Sequence, residues 1–330
     1  MSEDALKFVP LRVVVKKGSK AAQRLTKRAG LNPAVLASGF KPTPKEDLTF
    51  HGGKTIQNLT FANFYIAGEG SWKDADIQNI DHALAAAMSD KNLNNVMIQY
   101  FGNQPITSKL AFSKKLPGDK PAVVSQGDVE ALLPELNNQG LLDGLDFNST
   151  VMNVLLPPGT ILTDDEATSS GLLRRMPRAI PHEEEASSVD GLGGYHGSIH
   201  LTMSGVARTI YYAVGVYSEV GTDGKPNGIP VFPESWKNVV ATFYHELNEA
   251  RTDADVEDAI RTGKSSFLGW TSAQGEECGD FPVDEAGNNL SLVFKEVSLA
   301  DGSGTVPVQF QYSNAVHGPE GPIAQPHPLQ

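Results

Sequence analysis

The sequence predicts an α/β (α+β) protein in which helices flank a mixed β-sheet, and one helix carries candidate metal ligands. Short runs of β-favouring residues alternate along the chain with segments of helical periodicity. The composition, 40% hydrophobic and 20% charged, is that of a globular protein. A chain of 330 residues is also long enough to bury a substantial core.

The predicted strands are runs rich in β-branched and aromatic residues. Pro157-Pro158-Gly159 ends one of them, and Ser204-Gly205 forms the turn that pairs two others. We predict strands over 59–67, 96–101, 150–156, 198–203, 209–217, 289–297 and 306–312.

Three helices are predicted, over 75–88, 128–137 and 233–250. The last has the strongest pattern. Pro233 suits the first turn, where its missing N–H is not needed. Its apolar stripe recurs at spacings of three and four, as expected for a helix with one face against a core: Trp236, Val240, Phe243 and Leu247.

The domain organisation is predicted as one folded unit with two appended segments. Residues 1–48 form a basic N-terminal segment, 49–315 a single α/β domain and 316–330 a disordered, proline-rich tail. Between Lys7 and Arg28 lie eight Lys or Arg residues. This stretch is interpreted as a strand over 11–15 and a solvated basic helix, or as an arm that docks on an acidic surface.

Composition excludes several classes of function. The net charge of −12 argues against sequence-independent nucleic-acid binding, and no apolar run is long enough to span a membrane. A single cysteine, Cys278, rules out an internal disulfide framework.

Without a signal-peptide pattern we expect a cytoplasmic protein, or a secreted one if a leader has been removed. The expected partner is a small-molecule or peptide substrate, and the oligomeric state is left unassigned.

The helix over 233–250 contains the pattern H-E-x-x-E at His245, Glu246 and Glu249. Residues four apart project from one helix face, one turn apart, so His245 and Glu249 could bind one metal ion. This is the geometry of H-E-x-x-H zinc helices, with the second histidine replaced by glutamate. In those helices the glutamate after the first ligand activates water, a role that Glu246 would take here.

Further carboxylates follow this helix, at Asp253 and in the loop over 270–280. So many carboxylates would repel one another unless a cation or basic side chains intervene. The alternative to a metal site is therefore an acidic surface neutralised by nearby bases, namely Lys237, Arg251 and Arg261.

These segments resemble bacterial relatives of the Exordium / phosphate-induced protein family over residues 50–285. The likeness rests on 245–253, Gly269-Trp270 and 275–280, together with upstream motifs in matching order: His51-Gly52-Gly53, Gly70-Ser71-Trp72, Gln99-Tyr100, Leu156-Pro157-Pro158-Gly159-Thr160 and Gly194-Tyr195-His196. Tyr244, Ala254 and Cys278 depart from the family pattern. The resemblance implies a zincin-like metal helix without implying a reaction.

The leading functional prediction is a metal-dependent hydrolase of zincin-like type acting on a peptide, amide or related bond. Zn²⁺ would be bound by His245 and Glu249, with Glu277 as third ligand through the family's E-I-G-D motif, and Glu246 would take a proton from water. His196 would polarise the substrate oxygen or replace a ligand. Two further carboxylates would orient the ligands without touching the metal: Asp253 and Asp280.

Two alternatives remain open. One is a non-catalytic signalling or interaction protein stabilised by its metal, with the coordination closed by protein ligands. The other is a mononuclear non-heme iron enzyme that binds Fe²⁺, or another divalent metal, through His196, His245 and Glu249.

Overall fold

A six-stranded mixed sheet forms the centre of the computed structural model, which describes residues 13–15, 40–164, 186–203 and 205–322. In spatial order its strands are β1 (Val13–Val15), β8 (Leu192–Met203), β9 (Val206–Gly215), β6 (Thr150–Leu155), β3 (Asn58–Tyr65) and β4 (Thr107–Lys115). The last four run parallel, whereas β8 is antiparallel to β9 and β1 to β8. The predicted mixed sheet is confirmed.

The remaining strands form small two-stranded pairs outside this sheet. They are β2 (Thr49–Phe50), β5 (Val123–Val124), β7 (Ile161–Leu162), β10 (Glu219–Val220), β11 (Pro226–Asn227), β12 (Trp270–Thr271), β13 (Phe294–Ser298), β14 (Thr305–Gln309), β15 (Gln311–Ser313) and β16 (Gly318–Glu320). The helices are α1 (Asp74–Ser89), α2 (Lys91–Met97), α3 (Gln126–Asn138), α4 (Ser235–Thr252), α5 (Val256–Thr262) and α6 (Asp280–Ala286). Short 3₁₀ turns and one irregular turn at Gly68–Ser71 complete the elements.

Helices cover both faces of the sheet, as parallel strands require. Along β3, Phe61 and Tyr65 pack on one face and Ala62 and Phe64 on the other, because successive side chains of a strand point to opposite sides. The first face packs against α1 and α4, and these two helices in turn contact β14 of the β13–β14 hairpin. The second face packs against α3. Helix α4 is therefore enclosed between the sheet and neighbouring elements, with every residue from Asn238 to Thr252 buried.

Both predicted domain limits fall inside ordered structure. At the N-terminal side the predicted strand over 11–15 is confirmed as β1, and the backbone of Leu48 pairs with the Asn314 side chain. At the C-terminal side β16 pairs with β15, so ordered structure continues to residue 322, beyond the predicted limit at 315. The basic helix predicted to follow the strand over 11–15 and residues 323–330 lie outside the described residues.

The prediction of a strand over 96–101 is wrong, since α2 and a 3₁₀ turn at Ile98–Phe101 occupy this segment. Asp90 caps the start of α2, since its carboxylate accepts hydrogen bonds from the N–H groups of Asn92 and Leu93. It is followed by Gly102 in the left-handed conformation, a common end signal. These local signals outweigh the β-favouring side chains between them.

Strand β4 was not predicted, because its sequence Thr107–Lys115 is polar and rich in lysine. It is an edge strand of the central sheet, and lysines on an edge oppose pairing with another chain.

The predicted strand over 289–297 begins only at Phe294, after a 3₁₀ turn. Among the described residues no helix is long and apolar enough to cross a bilayer.

The contact between α4 and the sheet generates a stability prediction. A Cβ added to Gly215 in β9 would lie 2.7 Å from the Phe243 ring of α4, which is fully buried. We expect Gly215→Ala to lower the free energy of unfolding by about 1–3 kcal/mol through overpacking. Gly304→Ala is the matched control, because no atom lies within 4 Å of its added Cβ. Urea denaturation would measure both, and equal stabilities would contradict the close approach of α4 to β9.

Candidate metal centre

Helix α4 places three polar side chains inside the protein. His245, Glu246 and Glu249 are all fully buried. The start of the helix is fixed by Asn238, whose side-chain oxygen accepts from the N–H groups of Val231 and Phe232. Because His245 and Glu249 are one turn apart, their side chains meet, with Nε2 of the histidine 3.0 Å from Oε2 of the glutamate.

Strand β8 contributes His196 from the sheet. Alternation along the strand turns Tyr195 toward the α3 face and His196 toward α4, where it is fully buried. Two residues earlier, Gly194 allows the strand to approach the helix, since a Cβ there would lie 3.1 Å from Oε1 of Glu246. Nδ1 of His196 lies 3.4 Å from Oε2 of Glu246.

The loop before α6 supplies Glu277 and Asp280. Oδ2 of Asp280 accepts from the backbone N–H of Glu277, which fixes the turn. The N–H of Gly279 donates to Oε1 of Glu249 at 3.0 Å. A Cβ at Gly279 would lie 2.4 Å from Nδ1 of His245, so this position requires glycine for close packing.

The ligand-type atoms fall into two groups, and Glu249 belongs to both. The first consists of His245, Glu249 and Asp280, and the second of His196, Glu249 and Glu277. Within each group the ligand atoms lie within 4.8 Å of one another. A metal ion with bonds of about 2.0–2.2 Å requires ligand atoms about 4.4 Å apart or less, so small adjustments would bring each group around an ion.

Hydrogen bonds fix the tautomer of His245. The side-chain nitrogen of Gln309 donates to the carbonyl oxygens of Gly279 and Phe310, at 2.9 and 2.6 Å. Its oxygen Oε1 therefore faces Nδ1 of His245, which must carry the proton of that hydrogen bond. Nε2 is left facing Oε2 of Glu249, an arrangement that requires either a second proton or a metal ion between them.

His196 is held in the same way. Its Nε2 lies 3.1 Å from the carbonyl oxygen of Asp253, which can only accept, so Nε2 is the donor. Its Nδ1 faces the carboxylates of Glu246 and Glu249, at 3.4 and 3.7 Å. Each histidine thus has one nitrogen bound to an acceptor oxygen and the other directed at carboxylates, as in metal sites with oriented histidines.

The cluster is electrostatically unfavourable without a cation. Burial raises the pKa of Glu277 well above its ordinary value, and the charges of Glu249 and Asp253 add to this effect. Burial also raises the pKa of Asp280, with Glu249 contributing. Burial lowers the pKa of His245, but Glu249 and other carboxylates outweigh it and raise that pKa to about 10. Protons would balance the charge where no metal does.

The basic residues proposed as neutralising groups point elsewhere. Arg251 donates to the carbonyl oxygen of Thr107 and to the hydroxyl of Ser108, and it ties the end of α4 to β4. Burial lowers the pKa of Arg251 to about 10. The other two pair with acidic residues outside the cluster: Lys237 with Glu234 and Glu296, and Arg261 with Asp258.

The predicted site residues are therefore brought together. The way in which they group around the two histidines differs from the prediction. Glu277 lies in the group of His196, whereas Asp280, predicted to orient the ligands, lies in the group of His245. Asp253 accepts from the N–H of Gly269 at 2.8 Å. The two histidines fall in different groups, so the geometry does not favour the iron triad of His196, His245 and Glu249.

The donor set fits a divalent metal ion. Both side-chain oxygens of the buried Glu277 lack a hydrogen-bond donor, and so does Oε2 of Glu249. Buried carboxylates of this kind are normally hydrogen-bonded, paired or bound to metal. Imidazole and carboxylate ligands together suit zinc and other transition metals.

Gln309 is a site residue that sequence reasoning missed, because a lone glutamine near the end of a β-run carries no functional signal. We expect Gln309→Leu to weaken metal binding by about 10–100-fold, since His245 would lose the partner that sets its tautomer. Isothermal titration calorimetry would measure the dissociation constant, and circular dichroism would verify folding. The exposed Gln104→Leu serves as control. Unchanged affinity in Gln309→Leu would mean that Gln309 does not position His245.

Comparison of the chain with protein-family models, with curated proteins and with solved structures found no match. The resemblance to the Exordium family accordingly stays a prediction from the motifs.

Proposed function

We propose that the protein is a metal-dependent hydrolase acting on a peptide, amide or related bond. The observation that carries this proposal is the position of Glu246. It is next to a ligand in sequence and buried beside the cluster, yet it belongs to neither ligand group. A carboxylate beside the metal but outside its coordination is what general-base catalysis on water requires.

The residues of the chain divide into distinct roles under this proposal. His245 and Glu249 would hold the ion, Zn²⁺ in the leading version, with Asp280 or Glu277 completing the protein ligands. A bound ion would supply Lewis acidity. Glu246 accepts the proton of the attacking water and passes it to the leaving group.

His196 supports Glu246 under the same proposal. Its Nδ1 lies 3.4 Å from Oε2 of Glu246, so the doubly protonated ring can donate a hydrogen bond to this carboxylate and orient it. Because Nε2 is held by the carbonyl of Asp253, the ring cannot turn freely. Orientation of the base, or ligation of metal, suits this geometry better than polarisation of a substrate oxygen.

A non-catalytic protein stabilised by its metal is the second candidate, and complete burial favours it. His196, His245, Glu249 and Glu277 are 0% exposed, as expected of a structural ion enclosed by protein ligands. A substrate would need a path to Glu246, which is also fully buried. The two candidates therefore differ in what the loss of Glu246 should do.

The variant Glu246→Gln distinguishes the hydrolase from the non-catalytic protein stabilised by its metal. In the hydrolase, metal content stays at the wild-type level and turnover falls by about 10²–10⁴-fold, because the amide keeps the shape but cannot accept the proton. Turnover would be measured on a panel of peptides and amides, metal content by plasma mass spectrometry and stability by thermal melting. His245→Ala is the companion variant, expected to lose the metal as well as the activity.

Wild-type turnover in Glu246→Gln would refute the role of Glu246 as base. If the wild-type protein binds metal but turns over no member of the panel, and Glu246→Gln changes only the melting temperature, the structural candidate is supported instead.

A further inference from the structure

We infer that the cluster holds two divalent metal ions, bridged by Glu249. The first position is formed by His245, Glu249 and Asp280, and the second by His196, Glu249 and Glu277. This inference rests on the proposed metal centre, but it does not depend on hydrolysis.

The two histidines provide the first argument. Ligand atoms of one ion with bonds of about 2.0–2.2 Å cannot be more than about 4.4 Å apart. The nitrogens of His196 and His245 belong to different groups, each compact within 4.8 Å, with only Glu249 in common. Each imidazole has its own fixed donor nitrogen and its own nitrogen facing carboxylate. One ion would leave one of these two arrangements without a cation.

Glu249 has the geometry of a bridge. Its Oε1 is held by the N–H of Gly279, which fixes the carboxylate plane. Its Oε2 faces both histidines, at 3.0 Å from Nε2 of His245 and 3.7 Å from Nδ1 of His196. A single oxygen between two nitrogen ligands can serve two ions, as in carboxylate-bridged sites whose ions are about 3.5–4 Å apart.

The charge of the cluster is the second argument. Five buried carboxylates surround the two groups: Glu246, Glu249, Asp253, Glu277 and Asp280. Within the described ranges, the ion-pair partners of Glu249, Glu277 and Asp280 are histidines only. With all five carboxylates ionised, one divalent ion would leave three negative charges unbalanced, whereas two ions would leave one. Buried charges are tolerated only when paired or bound to metal.

Glu277 provides independent evidence for the second position. It is fully buried, and neither of its side-chain oxygens accepts a hydrogen bond. Oε1 lies 3.6 Å from Nε2 of His196, the nitrogen whose proton is donated to the Asp253 carbonyl, and Oε2 has no ion-pair partner among the described residues. A buried carboxylate with two unsatisfied oxygens, one of which lies within 4.8 Å of ligand atoms of His196 and Glu249, is suited to bind a cation.

The test counts metal ions in the full-length protein. Chelator-treated protein is reloaded with Zn²⁺ or Mn²⁺ and desalted, and bound metal is measured by plasma mass spectrometry. We expect two ions per chain in wild type, one in Glu277→Gln and one in Asp280→Asn. Glu276→Gln, next to the ligand but outside both groups, is the matched control and should keep two ions.

Mn²⁺ loading adds a readout that folding alone would not change. Two ions bridged by Glu249 couple magnetically, so the paramagnetic resonance spectrum of wild type should differ from that of the single-site variants. One ion per chain in wild type at saturation, or a wild-type count in both variants, would overturn the inference. A single ion with turnover would refute the second position alone. Two ions without turnover would refute the hydrolase alone.

Discussion

The burial of like charges between β8, α4 and the loop before α6 is the constraint on which the surrounding structure depends. Carboxylates removed from water need protons, hydrogen bonds or cations. The backbone supplies part of this, through the N–H of Gly279 to Glu249 and the N–H of Gly269 to Asp253. These bonds fix the positions of the carboxylates without cancelling their charge. The remaining oxygens converge on the two histidines, where a metal ion can satisfy several of them at once.

The fold brings this cluster together from distant parts of the chain. Helix α4 packs its apolar side chains against the sheet and α1, and its His245 side reaches β8 and β14. Gly194 and Gly215 allow strands to approach the helix closely. Arg251 fixes the far end of the helix to the edge strand β4. Glycine at the contacts and an anchored helix end give the rigid support that a preorganised site needs.

The sequence predicted the sheet class and the helix because both follow from local periodicity. His245 and Glu249 were found for the same reason, since a four-residue spacing has a fixed geometric meaning in a helix. His196 and Glu277 lie on other elements and were suggested by the resemblance, which does not specify how they group. Gln309 carried no signal, because its role depends on the packing of β14 against α4, which brings it to His245. Local sequence patterns do not show which distant residues the fold brings into contact.

Catalysis and structural stabilisation make different demands on the same cluster. A structural site needs only enough ligands to enclose its ion, and Glu246 would then be a further buried charge that costs stability. In a hydrolytic site this cost has a function, because a carboxylate kept out of the coordination can accept a proton. Glu246 is held beside His196 and close to Gly194, where strand and helix meet. The position of this carboxylate beside the cluster and outside both ligand groups, rather than its burial, is therefore the physical reason to place catalysis ahead of scaffolding.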